Sequence, residues 1–394
     1  MSKLNELLEL HCPNGVEYKR LGDICKVLRG KRLTTRDLLE DGIFPVYHGG
    51  IEPIGYYNES NREAYSVMII NVGASAGTVG FCDKKFWSSD GCFCFSHNEL
   101  LMQKYLYYAL QTIEYSIKSK VRKAGIPTLD NKEIERIEIP FPPLEVQEEI
   151  VKILDRFAEY AAELQAELQA RQEQYEYYRN KLLTFNEIGG IQRVIWMKMS
   201  EIGTFIRGKR FVRTDIVNDG VPCIHYGDMY TYYGLYATKS KGMLRNELAP
   251  KMRYAQKNDV VIVAAGENKE DIGIGMAWLG DEPAAVHDAC FIFKSDLYPQ
   301  YVSHYLRTNY YHKQIVKHVS EGKICSISAK GLGNAIIPIP SYEEQVRIAT
   351  LLNKFDELVS DLVQGLPAEI AAVKEQYEYY RNKLLSFPEY KLSA

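Results

Sequence analysis

The chain has no hydrophobic run approaching the ~18 apolar residues of a membrane-spanning helix, and Met1–Leu10 lacks a signal-peptide pattern. The expected location is cytoplasmic. Eight cysteines are scattered without paired spacing, which argues against a disulfide framework and fits a reducing compartment. Cys92, Cys94 and His97 come nearest to a metal set. However, C-x-C is not the spacing of zinc sites, and GCFCF at 91–95 alternates like a strand. The motifs of nucleotide chemistry are missing too. There is no G-x-x-x-x-G-K-[ST] phosphate loop, and Gly273, Gly275 and Gly280 have the wrong spacing for a dinucleotide fingerprint. The Asn/Asp-Pro-Pro-Tyr/Phe tetrapeptide with which amino-methyltransferases hold a flipped base is also absent. Asp259 with Glu267-Asn268-Lys269 could pass for a nuclease string, but the matching place in the first half reads Gly-Ala-Ser-Ala at 73–76. No catalytic residue is assigned.

What the chain does have is repetition. Gln174–Phe185 (QYEYYRNKLLTF) returns as Gln376–Phe387 (QYEYYRNKLLSF), with eleven of twelve positions identical. Two copies of one plan therefore fill the 394 residues. Arg29-Gly30-Lys31-Arg32 recurs as Arg207-Gly208-Lys209-Arg210, and Asp41-Gly42 as Asp219-Gly220, at an offset of 178. Asp90-Gly91-Cys92-Phe93 recurs as Asp288-Ala289-Cys290-Phe291 at an offset of 198, so twenty extra residues lie between. Variable loops on a fixed frame are where recognition usually resides. The 29 tyrosines suit recognition surfaces as well.

Short apolar runs such as Ser66–Val72 (SVMIINV), cut by Gly, Asn, Pro and Asp, predict a β-rich block over residues 1–140. Prolines 140, 142 and 143 close it, and residues 141–187 predict a long helix. Its apolar seam steps by 4 and 3 through Ile150, Leu154, Phe157, Ala161, Leu164, Leu168, Tyr175, Tyr178 and Leu182, with Arg171 the one polar occupant, which is a heptad stripe. A second block spans 188–340, and a second helix with a C-terminal tail spans 341–394, with the seam Ile348, Leu352, Phe355, Leu362, Ile370, Tyr377, Tyr380 and Leu384. Two consecutive steps of 4 around Leu366, beside Gly365 and Pro367, predict a kink or break. The expected fold is α+β: two β-rich globular domains joined by two long antiparallel coiled-coil helices.

Net charge is −3, yet it is unevenly spread. Residues 141–185 carry 5 basic and 9 acidic side chains, whereas 186–340 carry 19 and 15. Acidic helices leave the globular blocks free to form basic patches. Arg29, Lys31, Arg32 and Arg36 cluster in the first block, with Tyr47 and His48 nearby. Arg207, Lys209, Arg210 and Arg213 cluster in the second, with His225 and Tyr226. Another basic group precedes each helix: Lys120, Arg122 and Lys123, then Lys317 and Lys323. Singly, each could be a solvated surface charge. Recurrence in both halves points to DNA, because Arg and Lys suit phosphates and guanine edges.

The two helices ending in QYEYYRNKLL(T/S)F, the opening HCPNGVEYKRLGDIC and the paired RGKR segments resemble the specificity subunits of type I restriction–modification systems. The likeness covers essentially the whole chain, and the AELQ repeat at 162–169 lies where that family carries short spacer repeats. It implies a non-catalytic reader of double-stranded DNA, with two target-recognition domains that each read half of a split site. The partners implied are two methyltransferase subunits and, in a full complex, restriction/translocase subunits. S-adenosylmethionine, ATP and Mg²⁺ would sit on those partners, with no cofactor or metal on this chain. A subunit of a methylase-only system and a coiled-coil scaffold that does not bind DNA remain alternatives.

Overall fold

The computed structural model describes residues 2–185, 194–361 and 365–389. Two compact units emerge: Met1–Leu164 with Ile370–Ala394, and Gln165–Glu369. The division falls inside one unbroken helix, Leu144–Thr184.

In the first unit a four-stranded antiparallel sheet has the order Val27–Arg29, Cys92–Phe95, Ser66–Ile70, Val79–Cys82. Ser66–Ile70 is buried throughout, as a continuous apolar run requires of a central strand covered on both faces. Alternation divides its side chains. Val67 and Ile69, with Phe93 and Phe95, join one core with Tyr105, Leu106 and Leu110 of helix Gln103–Thr112. Met68 and Ile70, with Cys92 and Cys94, join another with Phe86 and with Tyr47 of a small sheet built from Phe44–Tyr47, Gly55–Tyr57 and Trp87–Ser88. Cys92 and Cys94 are thus core residues of a strand, and His97 is 2.9 Å from the Ser66 hydroxyl.

The second unit repeats the plan. Gly203–Arg207, Cys290–Ser295, Val260–Val263 and Gly275–Trp278 follow the same order, with Tyr236–Ala237 added at the edge. Register repeats as well: Arg29 faces Phe93, and Arg207 faces Phe291. Helix Pro299–Tyr305 takes the place of Gln103–Thr112. A second sheet again holds a parallel pair, Val221–Ile224 with Ala284–Val286, the counterpart of Phe44–Tyr47 with Trp87–Ser88.

Each predicted seam serves two masters. Ile150 and Leu154 enter the core of the block that precedes them, as do Ile348 and Leu352. The duplicated tyrosine segments do the reverse. Tyr175, with Leu168 and Leu182 at its margin, belongs to the core of the second unit, and Leu384, flanked by Tyr377 and Tyr380, to that of the first. Phe157 stacks on Tyr380 at 5.3 Å, and Tyr178 on Phe355 at 5.8 Å. The earlier part of the long helix meets the later C-terminal helix and the later part meets the earlier one, the order of an antiparallel pairing. Leu164 and Ile370 are buried too.

Of the kink or break expected beside Gly365 and Pro367, the C-terminal helix has the break. One helix ends at Ser360 and the next begins at Leu366. Pro367 then sits in a first turn, where its missing N–H costs nothing. Leu362 lies outside the described residues. Among those residues no helix is long and apolar enough to cross a membrane.

Candidate nucleic-acid interface

The RGKR segments are not free loops. Each leaves the edge strand of its main sheet and is pinned by the same three hydrogen bonds to its backbone. Gly30 N–H donates to the Cys92 carbonyl at 3.3 Å, and Gly208 N–H to Cys290 at 3.0 Å. Lys31 N–H donates to Ser88, and Lys209 N–H to Val286, both at 2.9 Å. The Arg29 carbonyl accepts from the Arg62 guanidinium at 2.8 Å, and the Arg207 carbonyl from Arg253 at 2.7 Å. Further on, a carboxylate closes a turn in each unit: Asp37 accepts from Thr34 N–H at 2.7 Å, and Asp215 from Val212 N–H at 2.8 Å. The glycine is required by proximity. A Cβ at Gly30 would lie 1.8 Å from the Ser89 carbonyl oxygen, and one at Gly208 2.2 Å from that of His287.

This pinning leaves the basic side chains in solvent. Arg29, Lys31, Arg32 and Arg36 are exposed, as are Arg207, Lys209, Arg210 and Arg213. Lys31 extends over the Trp87 ring, 6.0 Å from its centroid. Arg207 is partly committed, because its Nε donates to the Asp288 carbonyl at 2.8 Å.

In the second unit the residues converge. Arg210, Arg213, His225, Tyr226 and Lys323 line one open cavity of about 790 Å³. Phe211 and His287, which sequence reasoning missed, line it as well, with Asp288 of the repeated motif and Glu267 of the discounted nuclease string. His287 aligns with Ser89 of the first half, so the repeat gave no signal for it. Its Nδ1 accepts from Ala289 N–H at 3.1 Å and lies 3.2 Å from Asp288. Phe211 packs edge-on against it at 5.1 Å, and the His225 ring is 4.8 Å away. Burial, with His287 and Arg213 nearby, pushes the His225 imidazole below its ordinary pKa, and burial also lowers His287. Both rings are therefore neutral hydrogen-bonding groups at physiological pH. Lys317 is exposed but does not line the cavity.

The first unit is more open. Arg29 lines a smaller cleft of about 330 Å³ with Asn71 and Asn131. His48 lies 3.3 Å from Asp90. The Arg122 backbone pairs with Thr128, leaving Lys120, Arg122 and Lys123 on an exposed loop. Two sequence expectations need correction. Tyr47 is a core residue, only 9% exposed, with its ring edge-on to Phe86 and its hydroxyl on Cys82 Sγ. It cannot reach a ligand, because it is an inward residue of a strand. His225 is 5% exposed and floors the cavity instead of projecting from it, since Nδ1 accepts from Gly227 N–H at 3.2 Å.

A duplicated sheet frame carries a pinned basic segment at the same place in each copy. The family profile "Type I restriction modification DNA specificity domain" matches residues 13–174 and again 195–372. The chain belongs to that family; it is a type I restriction–modification specificity subunit, the non-catalytic component that recognises DNA sequence. It is 29% identical to the EcoR124I/EcoR124II specificity subunit of Escherichia coli over 99% of this chain and 98% of that one. It is 26% identical to the MjaVIII specificity subunit of Methanocaldococcus jannaschii over 90% and 89%. The fold resembles the crystallised S subunit from M. genitalium, with a TM-score of 0.59 and 17% identity over 94% of this chain and 96% of that one. A chain from a type I complex-assembly study gives 0.61 at 18% identity, covering 95% and 98%.

Proposed function

We propose that each unit reads one half of a bipartite DNA site, through residues 1–140 and 188–340, and that the helices of 141–187 and 341–394 set the gap and dock two methyltransferase subunits. The observation that carries this reading is the RGKR segment, pinned by the same backbone bonds at the same sheet edge in both units. Exposed guanidinium and ammonium groups on a rigid mount suit phosphates, and phosphate contacts fix register while other side chains read bases. Two identical mounts in one chain suit two half-sites. Methyl transfer and cleavage then belong to the partners, along with S-adenosylmethionine, ATP and Mg²⁺.

The test is an exchange of residues 16–140 for the corresponding block of another family member, co-expressed with the methyltransferase subunit, followed by genome-wide mapping of methylated adenines. One half of the motif should change and the other persist. A change in both halves would end modular reading.

A further inference from the structure

The mounts are alike, but the turns they carry differ in one respect. In both units a carboxylate closes the turn that follows RGKR, Asp37 on Thr34 N–H and Asp215 on Val212 N–H. The two residues enclosed are Thr35-Arg36 in the first unit and Arg213-Thr214 in the second. The same two residue types occupy the same turn in opposite order. All four are exposed, and neither arginine makes a side-chain hydrogen bond or ion pair among the described residues. Arg207, by contrast, is tied to Asp288.

Residues that recur unchanged in both units serve whatever the two half-sites share, which is the sugar–phosphate backbone. Residues that differ on an otherwise identical mount are where the two readings can diverge. Moving a guanidinium by one residue inside a fixed turn alters where its fork points without altering the charge of the unit. In the second unit that fork has a defined seat. It lies over Gly227, where a Cβ would come within 3.0 Å of it, at the wall of the cavity floored by His225 and His287. Both rings are held by backbone N–H groups, so the floor is fixed.

We infer that Arg36 and Arg213 are the base-reading arginines of the two units, each presenting its fork to a guanine edge, and that the exchanged Thr–Arg order makes the two units read differently. This rests on the proposed reading of DNA by each unit. Arginine is the side chain for the task because two of its parallel donors match the O6 and N7 acceptors of guanine in the major groove. A lysine offers a point charge and cannot reproduce the fork.

The test uses the full chain co-expressed with its methyltransferase subunit, with host genomic DNA as the probe and methylated adenines mapped. R213K keeps the charge and should relax a single G·C position in one half of the motif, with about 5- to 150-fold lost discrimination there. The double variant R213T/T214R keeps composition as well as charge and should alter the same half, leaving the other intact as the control for folding and assembly. If both variants methylate the unaltered motif, or if the relaxed position is not a G·C pair, the assignment of Arg213 falls. A wild-type complex that methylates no split motif would instead overturn the underlying reading. R36K should relax a position in the opposite half, and an effect on the same half as R213K would refute the pairing of turns with half-sites.

Discussion

Gln147 and Gln345 hold the same joint in the two units. Each buried amide donates to a prolyl carbonyl at the start of its helix, Pro142 at 2.8 Å and Pro340 at 3.0 Å. Each amide oxygen accepts from the backbone N–H that opens the helix behind the sheet, Met102 at 3.0 Å and Tyr298 at 2.9 Å. One side chain thus ties the proline-rich boundary to the core helix. Q147A and Q345A would each leave a buried donor and a buried acceptor unpaired, at about 2–4 kcal/mol in all. Hydrogen exchange should show loss of protection at the Met102 amide in the first variant and at Tyr298 in the second. Unchanged protection would mean that the joint is held by packing alone.

A second joint is built on a histidine in only one unit. His304 Nε2 meets Asn353 Oδ1 at 2.8 Å and Nδ1 meets the Tyr175 hydroxyl at 3.3 Å, whereas Tyr108 and Asp155 form the corresponding bond in the first unit. Burial, reinforced by Arg179 and Arg307 against the hydrogen bond to Asn353, lowers the His304 pKa from 6.5 to about 3. The ring is neutral when folded and takes a proton when unfolded. Its contribution is therefore constant above pH 6.5 and is lost as pH falls towards 3, because the unfolded chain binds more protons there. Stability of the second unit should drop by up to about 1.4 kcal/mol per pH unit in that window from this residue alone. Denaturant melts at pH 7 and pH 5 check it, and H304Q should flatten the dependence while lowering stability at pH 7. An equal slope in wild type and variant would assign the acid sensitivity to other groups.

The basic mounts make a third expectation. R29A/K31A/R32A removes up to three phosphate contacts from the first unit, on side chains that are already solvated. Duplex binding by the assembled complex should weaken, and its log–log salt slope should become shallower by at most about 2.7. Titrations at several salt concentrations measure this directly. A slope identical to wild type, with the complex intact, would return these residues to the category of ordinary surface charge.

Most of the frame could be read from repeats. The offsets of 178 and 198 match Arg29 to Arg207 and Phe93 to Phe291, and the structure gives the two matched pairs the same register, Arg29 facing Phe93 and Arg207 facing Phe291. Heptad spacing named the seam, but a seam does not say what it faces. That is why Tyr175 and Tyr377 turn out to serve the core of the block they do not follow in sequence. Tyr47 was misread because a tyrosine beside His48 and Gly49 looks like a loop residue, while the strand Phe44–Tyr47 turns it inward. His287 was illegible for the opposite reason. Its value lies in meeting Phe211 and His225 across the fold, and nothing at its own position repeats.

The spacer carries the last expectation. Leu144–Thr184 is one uninterrupted helix, and the AELQ repeat falls in its middle. Deleting Ala166–Gln169 removes four residues, roughly 6 Å at 1.5 Å per residue. The remaining seam turns by only about 40°, since 3.6 residues make a turn, so Ile150–Leu164 and Tyr175–Phe185 can still share a stripe. One base pair spans about 3.4 Å of DNA. Each base pair also rotates the groove by about a tenth of a turn, which limits how many can be dropped without misaligning the reading surfaces. The variant should therefore methylate the same two half-sites with a gap shorter by about one pair, two at most. Deleting only two residues turns the seam by about 200° and should abolish assembly, because Tyr175 and Leu183 would leave their core. Methylome mapping of both variants decides the matter. If the four-residue deletion keeps the original gap, the length of this helix does not set the spacing, and the repeat has some other use.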